Sequence, residues 1–405
     1  MTRGGRSVGR QMDEQGKHGS GKTQGGSGLL ARLARARWFR DLFPVSVKRL
    51  GRRLLPQDAY QRALWAVADP YARAETTSTY PGKVDARLGI LKGFGVGHAH
   101  YITACRELGV PYKVVDIAGP DWMEAIRDSG CDAFVVWPGN MRTVWKQLYD
   151  ERLRVIEEDL GKLVYPVAKS VYLYESKRRV HYWLRAHGFP HPRTWVFYNE
   201  DEALQFCRTC ALPIVFKTDL GAGAKGVRIF RQRRALEQFV ERYLRRGMVL
   251  PDGDRRDRQW GSVLLEEYIP DAAEWRVIRI GDSYFAYQKG RKGDFHSGSH
   301  IVIFADPPPD LLNLALAVTS GGNFTSMSLD IFETPDGRYL INELHPVFGW
   351  DPWPHSMEVN GIPGRYVYDD AQAKWVFEEG IFTEHACCSL RIKVVLRALG
   401  KPLAS

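Results

Sequence analysis

The residues that could do chemistry follow one another between positions 170 and 350. Lys177 and Lys217 can each bring an ammonium group to a phosphate, where lysine acts as a flexible point charge. A glycine-rich run follows directly and contains Gly221, Gly223, Lys225 and Gly226. Because glycine lacks a Cβ, such a loop can lie over phosphates and present its N–H groups to them. The pattern predicts a polyphosphate site, and an ordinary hairpin turn is the competing interpretation of the glycines.

The run LLEEYIP comes next and reads as a strand that ends in acidic and apolar residues. Its last residues can offer backbone groups and a carboxylate to a purine edge and wall the ring: Glu266, Glu267, Tyr268 and Ile269. Glu274 follows seven residues after Glu267, a position from which it can accept ribose hydroxyls. An edge strand with solvated acids is the alternative.

Asp330 and Glu343 lie on two predicted strands that a Pro-Asp-Gly turn joins. Carboxylates placed side by side repel each other unless a cation lies between them, and Mg²⁺ that bridges phosphates prefers carboxylate oxygens. His345 is two residues further on, where it could ligate Mg²⁺ poorly, prefer a softer metal, or face a second substrate. We therefore expect a metal site of Asp330, Glu343 and His345.

The elements that position these residues read as a mixed α/β chain. Strands and helices alternate between about residues 85 and 140, which predicts a small Rossmann-like parallel sheet. We expect a hairpin with its turn at Gly281–Asp282. The predicted divisions are a basic extension at 1–80, partly disordered with a short amphipathic helix, a small α/β domain at 81–165, an N-terminal lobe with a glycine-rich lid at 166–260, a C-terminal lobe with the metal site at 261–365, and a helical tail at 366–405.

The basic excess of the chain is confined to its first residues. The 405 residues carry a net charge of +10, and residues 1–65 alone hold 14 Lys or Arg against 4 Asp or Glu. The remainder is balanced, so its composition offers no basic face and we expect no nucleic-acid partner. Residues 29–55 include a short basic amphipathic segment that could contact an anionic membrane surface or dock onto the protein itself. With no apolar secretory segment at the start, we expect a cytoplasmic protein, with a peripheral position at the inner membrane surface as the alternative.

Three patterns look like known sites and are weak on physical grounds. Residues 16–23 match a P-loop letter for letter, but the strand and helix that such a loop requires are not predicted around them. The glycines at 93–97 have the wrong spacing for a dinucleotide fingerprint. Cys207 and Cys210 form a C-x-x-C without further zinc ligands, so we expect the six cysteines to be free thiols.

Taken together, the ordered motifs from 177 to 343 resemble the ATP-grasp superfamily, over about residues 85–350. The segments EWRVIRIGD and GDFHS look like those of ligases that add glutamate to a ribosomal-protein tail. The resemblance implies an ATP-grasp fold in which two α/β lobes clamp ATP behind a smaller α/β domain. It implies ATP and Mg²⁺, with Mn²⁺ as an alternative. The chain departs from those ligases at His345, where they have asparagine, and at Gly298.

The resemblance also implies a reaction, in which a small-molecule carboxylate is phosphorylated by ATP and the acyl phosphate is passed to an amine-type acceptor. The acceptor could be an amino acid, a peptide or a cell-envelope glycan. Candidates for stabilising the γ-phosphate and the tetrahedral oxyanion are Arg276, Lys289 and Arg291. Trp350, Trp353 and His355 could shape the acceptor pocket or simply pack. A kinase on the same scaffold and a degenerate binding module with a membrane-binding arm stay open, as does the oligomeric state.

Overall fold

A computed structural model describes residues 79–403, apart from Val96, 140–141, 251–255, His300 and 349–356. The P-loop-like run at 16–23, the amphipathic segment at 29–55 and most of the predicted basic extension therefore lie outside the described residues. So do Trp350, Trp353 and His355. Within the described residues, no helix is both long enough and apolar enough to cross a membrane.

The first sheet has the strand order β1-β3-β2-β4-β5, and its strands are β1 (Thr79–Tyr80), β2 (Leu88–Lys92), β3 (Tyr112–Asp116), β4 (Ala133–Val136) and β5 (Leu163–Tyr165). All neighbours pair in parallel except the antiparallel edge strand β1. The connecting helices are α1 (His98–Glu107), α2 (Trp122–Arg127) and α3 (Thr143–Arg154), the last of which continues into a π-helical turn at Val155–Asp159. Because parallel sheets need covered faces, the central strands β2 and β4 are almost wholly apolar and buried. The predicted parallel α/β unit is thus observed.

Two short helices lead from the first sheet to the second, α4 (Ala168–Leu173) and α5 (Lys177–Ala186). The side chain of Ser176 caps α5 by accepting a hydrogen bond from the N–H of Arg179, so Lys177 occupies the first turn. The second sheet is antiparallel, with the order β6-β11-β7-β8, and contains β6 (Thr194–Phe197), β7 (Ile214–Lys217), β8 (Val227–Phe230) and β11 (Val263–Glu267). Its core is closed by α6 (Glu200–Thr209) and α7 (Arg233–Arg246). The strands β9 (Met248–Val249) and β10 (Arg258–Gln259) form a separate small hairpin.

The third sheet is antiparallel and has the order β16-β15-β12-β13-β18-β17, with β14 added to β13 and β19 to β18. Its strands are β12 (Ala273–Ile280), β13 (Ser283–Lys289), β14 (Val302–Ile303), β15 (Ser326–Glu333), β16 (Tyr339–His345), β17 (Glu358–Val359), β18 (Ile362–Asp369) and β19 (Lys374–Glu379). The predicted turn between β12 and β13 is present, and Gly281 takes the left-handed conformation (φ 59°) that a tight hairpin favours. The helix α8 (Pro309–Gly322) packs on the apolar face of this sheet.

The prediction of a helical tail over residues 366–405 is wrong for its first part. Residues up to 379 belong to β18 and β19, whose aromatic side chains pack against the core of the third sheet. The helix α9 (Glu384–Ala398) follows, and Cys388, Ile392 and Val395 on it share one apolar core with Tyr101 of α1. The C-terminal helix therefore belongs to the packing of the first sheet. The other predicted domain boundaries remain predictions.

Candidate functional site

An open cleft lies between the second and third sheets. Side chains from both sheets, from α5 and from the loop between β7 and β8 line it. Among the residues singled out in the sequence, the structure brings the following to its wall: Lys177, Lys217, Gly221, Gly223, Lys225, Gly226, Glu266, Glu267, Tyr268, Ile269, Glu274, Arg291 and Glu343. Motifs spread over more than 160 positions thus meet at one place.

Lys217 ends β7 at the base of the cleft, where its ammonium group has two partners. Its Nζ lies 2.5 Å from Oε1 of Glu266 and donates to Oδ1 of Asn342 at 2.7 Å. The Lys217 and Glu266 side chains are only 7% and 9% exposed. Burial raises the pKa of Glu266, and the neighbouring ammonium of Lys217 works against that rise. The buried carboxylate of Glu266 therefore fixes the position of the Lys217 ammonium group.

The two ends of the loop between β7 and β8 pack closely against each other. A Cβ on Gly226 would lie 1.8 Å from Oγ1 of Thr218, so only glycine fits there without movement. Gly221 and Gly223 have φ values of 143° and 63°. The side-chain amide of Gln259 holds the loop at Leu220 from outside, accepting from its N–H at 2.9 Å and donating to its carbonyl at 2.8 Å. The glycines of the loop serve close packing and positive φ, which is what a phosphate-covering loop requires.

The segment after β11 borders the cleft, but its carboxylates are already engaged. Glu267 accepts two hydrogen bonds from Arg193, from the backbone N–H and from Nε, both at 2.8 Å. Glu266 holds Lys217, as described above. The ring of Tyr268 lies under the guanidinium of Arg231 at 5.9 Å. A planar ligand could therefore contact the backbone of this segment and the side chains of Tyr268 and Ile269. The predicted contact between a free glutamate carboxylate and the ligand is not supported.

A buried network of alternating charges lies at the third-sheet side of the cleft. Arg276 donates to both oxygens of Asp330, from Nε at 2.9 Å and from Nη2 at 3.0 Å. Lys289 donates to Oε1 of Glu274 at 2.7 Å and also contacts Asp330. These residues meet because β12 lies between β13 and β15 in the sheet, which brings Arg276 opposite Asp330. Glu274 is therefore paired with a lysine and only 2% exposed. The prediction that it accepts ribose hydroxyls did not include this pairing.

The three predicted metal ligands lie close together, and their role in binding a metal stays a prediction. One ligand atom from each of Asp330, Glu343 and His345 lies within 4.8 Å of the others. Nε2 of His345 is 3.1 Å from Oε2 of Glu343 and 3.7 Å from Oδ2 of Asp330. Glu343 also pairs with Lys177, whose Nζ is 3.3 Å from its Oε1. Two converging carboxylates suit Mg²⁺, for which the imidazole is the poorer donor.

The charged groups of this cluster change one another's pKa values. Burial alone would raise the pKa of Asp330, but Arg276 and Lys289 hold it well below its ordinary value. Burial opposes ionisation of Glu343 as well, and Lys177 and His345 lower its pKa. For His345, burial is outweighed by Asp330, Glu343 and Glu175, which raise its pKa to about 9. Both carboxylates are therefore ionised and counterbalanced by cations of the protein itself.

Several residues of the site were not found from the sequence. Glu175 lies beside the predicted metal ligands Asp330, Glu343 and His345, called the metal cluster below. Its backbone is in a left-handed conformation (φ 59°), and its Oε1 is 3.7 Å from Nδ1 of His345. Its other oxygen is buried with no hydrogen-bond partner in the described part of the chain. A carboxylate oxygen in that state could accept a cation. Asn342 and Gln259 were missed too. Of these, only Asn342 had a local signal, since it directly precedes Glu343 on the predicted metal strand.

The three predicted catalytic cations occupy different settings. Arg276 and Lys289 point into the buried network around Asp330 and are not part of the cleft wall. Arg291 lies at the wall, 37% exposed, with Nη1 3.6 Å from Oδ1 of Asp271. A direct contact with a transferring phosphate therefore stays a prediction for all three. The six cysteines are buried and free, as expected.

Two curated proteins are similar to the chain in sequence, and no model of a protein family matches it. N5-carboxyaminoimidazole ribonucleotide synthase of Aquifex aeolicus (strain VF5) is 28% identical over 205 residues, which are 47% of this chain and 50% of that protein. The alpha-aminoadipate–LysW ligase LysX of Sulfurisphaera tokodaii is 24% identical over 188 residues, 44% of this chain and 60% of that protein. Among solved structures, a RimK domain ATP-grasp protein from Sphaerobacter thermophilus aligns with a TM-score of 0.47 at 20% identity, over 64% of this chain and 90% of that one.

Both sequence relatives belong to the ATP-grasp ligase superfamily, so the relationship predicted from the ordered motifs is confirmed. The expected mixed α/β architecture, with two further sheets behind a small parallel one, is confirmed as well. The chain spans about 50% to 60% of the length of these relatives. Their activities and substrates are therefore not transferred as facts.

Proposed function

We propose that the protein is an ATP-dependent ligase that activates a carboxylate as an acyl phosphate and transfers the acyl group to an amine or a similar nucleophile. The observation that carries the proposal is the convergence of Lys177, Lys217, the glycine-rich loop and Glu343 on one cleft. Cations, loop N–H groups and a carboxylate pair are what Mg²⁺-bound ATP requires. The relationship to the ATP-grasp ligases supports the same chemistry.

In this proposal the base of ATP lies between the backbone after β11 and the side chains of Tyr268 and Ile269. The glycine-rich loop covers the phosphates, and the ammonium groups of Lys177 and Lys217 face them. Asp330 and Glu343 would hold Mg²⁺, which neutralises phosphate charge when it is bound. The network of Arg276 and Lys289 keeps Asp330 ionised for that purpose.

The reaction has two steps. A carboxylate oxygen of the first substrate attacks the γ-phosphorus, and ADP leaves. The amine then attacks the carbonyl carbon, the tetrahedral intermediate expels inorganic phosphate, and the amine loses a proton. Because both steps move negative charge, cations fixed near the transferring group contribute most of the stabilisation. Arg291 at the cleft wall is 37% exposed and could meet a second substrate there.

Product analysis tests the ligase assignment. The full chain is incubated with Mg²⁺, ATP and a panel of amino acids and acidic sugars, with and without hydroxylamine, and ADP, phosphate and hydroxamate are measured. A ligase releases ADP and phosphate in equal amounts and forms hydroxamate in the trap. A kinase instead releases ADP without phosphate, and that result would overturn the proposal. Lys217→Ala and Glu343→Ala should both abolish the acid-dependent release of ADP.

A further inference from the structure

Arg391 on α9 is a buried cation that has no counter-charge among the residues the structure describes. Its side chain is 0% exposed, and no carboxylate of the described residues lies within ion-pair distance of it. The guanidinium donates to Oγ of Ser326 at 3.1 Å and to the carbonyl of Ala386 at 2.8 Å. The remaining nitrogen, Nη2, is buried with no hydrogen-bond partner in the part of the chain that the structure describes. A buried, unpaired charge costs several kcal/mol, so such a group normally meets an anion.

The guanidinium is held in place by its surroundings. It lies 5.4 Å from the ring of Trp137, which follows β4, and 4.9 Å from the ring of Phe348, which follows β16. Burial and the nearby charges of His385, Arg391 and His98 lower the pKa of His100 to about 3. Arg391 is therefore a fixed cation in a buried setting that disfavours further positive charge.

A row of polar side chains leads from Arg391 to the metal cluster. Ser326, Ser328 and Asp330 alternate along β15 and therefore share one face of the sheet. All three are nearly fully buried, while Met327 and Leu329 between them point into the apolar core on the other face. At about 3.3 Å per residue, Ser326 and Asp330 are ~13 Å apart along the strand. The row therefore joins Arg391 to the place where the proposed chemistry occurs.

Two further polar groups, one in this row and one near Arg391, have no hydrogen-bond partner among the described residues. Oγ of Ser328 is buried without a hydrogen bond in the described part of the chain, and Ser328 pairs in register with His345. The hydroxyl of Tyr101 is likewise buried and unpaired among the described residues, and it lies within electrostatic range of Arg391. Buried polar groups are almost always satisfied in native proteins, so orphaned groups gathered along one line indicate a polar ligand.

We infer that Arg391 binds the terminal acidic group, a carboxylate or a phosphate, of an elongated substrate that runs along the Ser326–Ser328–Asp330 row. The other end of that substrate reaches the metal cluster, a statement that rests on the proposed function. The acid group takes its hydrogen bonds from Nη2 of Arg391, and Ser328 contacts the middle of the molecule. The inferred substrate class is thus a molecule with a second acid about 13 Å from the reacting group, by the strand spacing above.

Isothermal titration of the full chain with inorganic phosphate and with glutarate tests this inference. Saturating Mg²⁺ and ADP fill the nucleotide cleft first, and ionic strength is held constant. The variants are Arg391→Gln and, as a matched control, Arg233→Gln, because Arg233 is a partly buried arginine that donates to the carbonyls of Cys207 and Cys210, away from the row. Loss of a charged hydrogen bond predicts binding at least about tenfold weaker in R391Q, and unchanged binding in R233Q.

The outcomes separate the inference from the proposed function. Tighter binding of phosphate indicates a phosphorylated substrate, and tighter binding of glutarate indicates a dicarboxylic one. No binding of either probe to the wild type, or equal binding by R391Q, overturns the inference. Should R391Q fail to fold, R391K and S328A replace it, and unchanged binding in both is the contradicting result. If Mg²⁺ and ADP do not bind, the proposed function fails, while the comparison with R391Q is still readable.

Discussion

The buried pair of Lys217 and Glu266 allows stability and nucleotide binding to be tested separately. Both side chains are less than 10% exposed and their charged atoms are 2.5 Å apart. Lys217→Met leaves the carboxylate of Glu266 buried without its cation and the amide of Asn342 without its donor. Breaking a buried ion pair from one side costs about 3 to 5 kcal/mol, and we expect the free energy of unfolding to fall by about that amount.

The double variant Lys217→Met/Glu266→Gln removes both charges and should recover most of the lost stability, because a neutral amide is far less costly to bury. It should not recover affinity for ATP, because the ammonium that faces the phosphates is still missing. Urea denaturation followed by circular dichroism measures the first effect, and calorimetric titration with Mg²⁺ and ATP measures the second.

The same variant has a predicted pH dependence. Burial already raises the pKa of Glu266 above 4.5, and Lys217→Met removes the cation that opposes that rise. The native variant then binds more protons than its unfolded chain, so its stability falls as pH rises through the interval between 4.5 and the raised pKa. The deficit relative to wild type should therefore be smallest near pH 4.5 and largest above the raised pKa.

An exposed pair provides the control. Arg193 is 75% exposed and pairs with Glu267 at 2.8 Å, so Arg193→Gln should cost less than about 1 kcal/mol. A loss below about 1 kcal/mol in K217M, or a double variant no more stable than K217M, would refute the reasoning about the buried pair.

Three other changes have defined outcomes. Gln259→Ala removes both hydrogen bonds to Leu220 and should weaken ATP binding about tenfold by titration, whereas Gln205→Ala, at an exposed position, should leave it unchanged; equal affinities would contradict the anchoring role. Gly226→Ala places a Cβ 1.8 Å from Oγ1 of Thr218 and should cost about 1 to 3 kcal/mol of stability in urea, partly recovered by adding Thr218→Ala; full tolerance of G226A would contradict the close packing. The pKa of His100 is lowered from 6.5 to about 3, so its native form binds fewer protons and stability is lost as pH falls through that interval; His100→Asn should lose less, and parallel pH profiles would contradict the assignment.

The parts of the site that are local in sequence could be predicted. The short turn between β15 and β16 pairs Ile331 with Ile341 and so predicted that the two carboxylates would be neighbours. A shift of register beyond Ile331 then places Glu343 directly opposite Asp330, and the turn did not predict that shift. Gly281 and Asp282 between two alternating runs predicted the β12–β13 hairpin. In each case one short connection determines which residues become neighbours.

What could not be predicted depends on contacts between distant segments. Arg276 pairs with Asp330 because β12 lies beside β15, although 45 residues of chain separate the two strands. The local sequence pattern does not determine the order of strands in a sheet. Gln259 reaches Leu220 from another hairpin for the same reason. The predicted helical tail at 366–405 is wrong over the end of β18 and over β19, because β19 combines charged and aromatic residues and gains its order from pairing with β18.

The central claim is that this cleft binds ATP together with Mg²⁺ at Glu343, and one titration tests it most directly. Mg²⁺ and ATP are titrated into the wild type and into Glu343→Gln, which keeps the shape of the side chain and removes its charge. The account predicts one binding site in the wild type that depends on Mg²⁺, and binding at least about tenfold weaker in E343Q. No binding to the wild type, or equal Mg²⁺-dependent binding by both proteins, would contradict it.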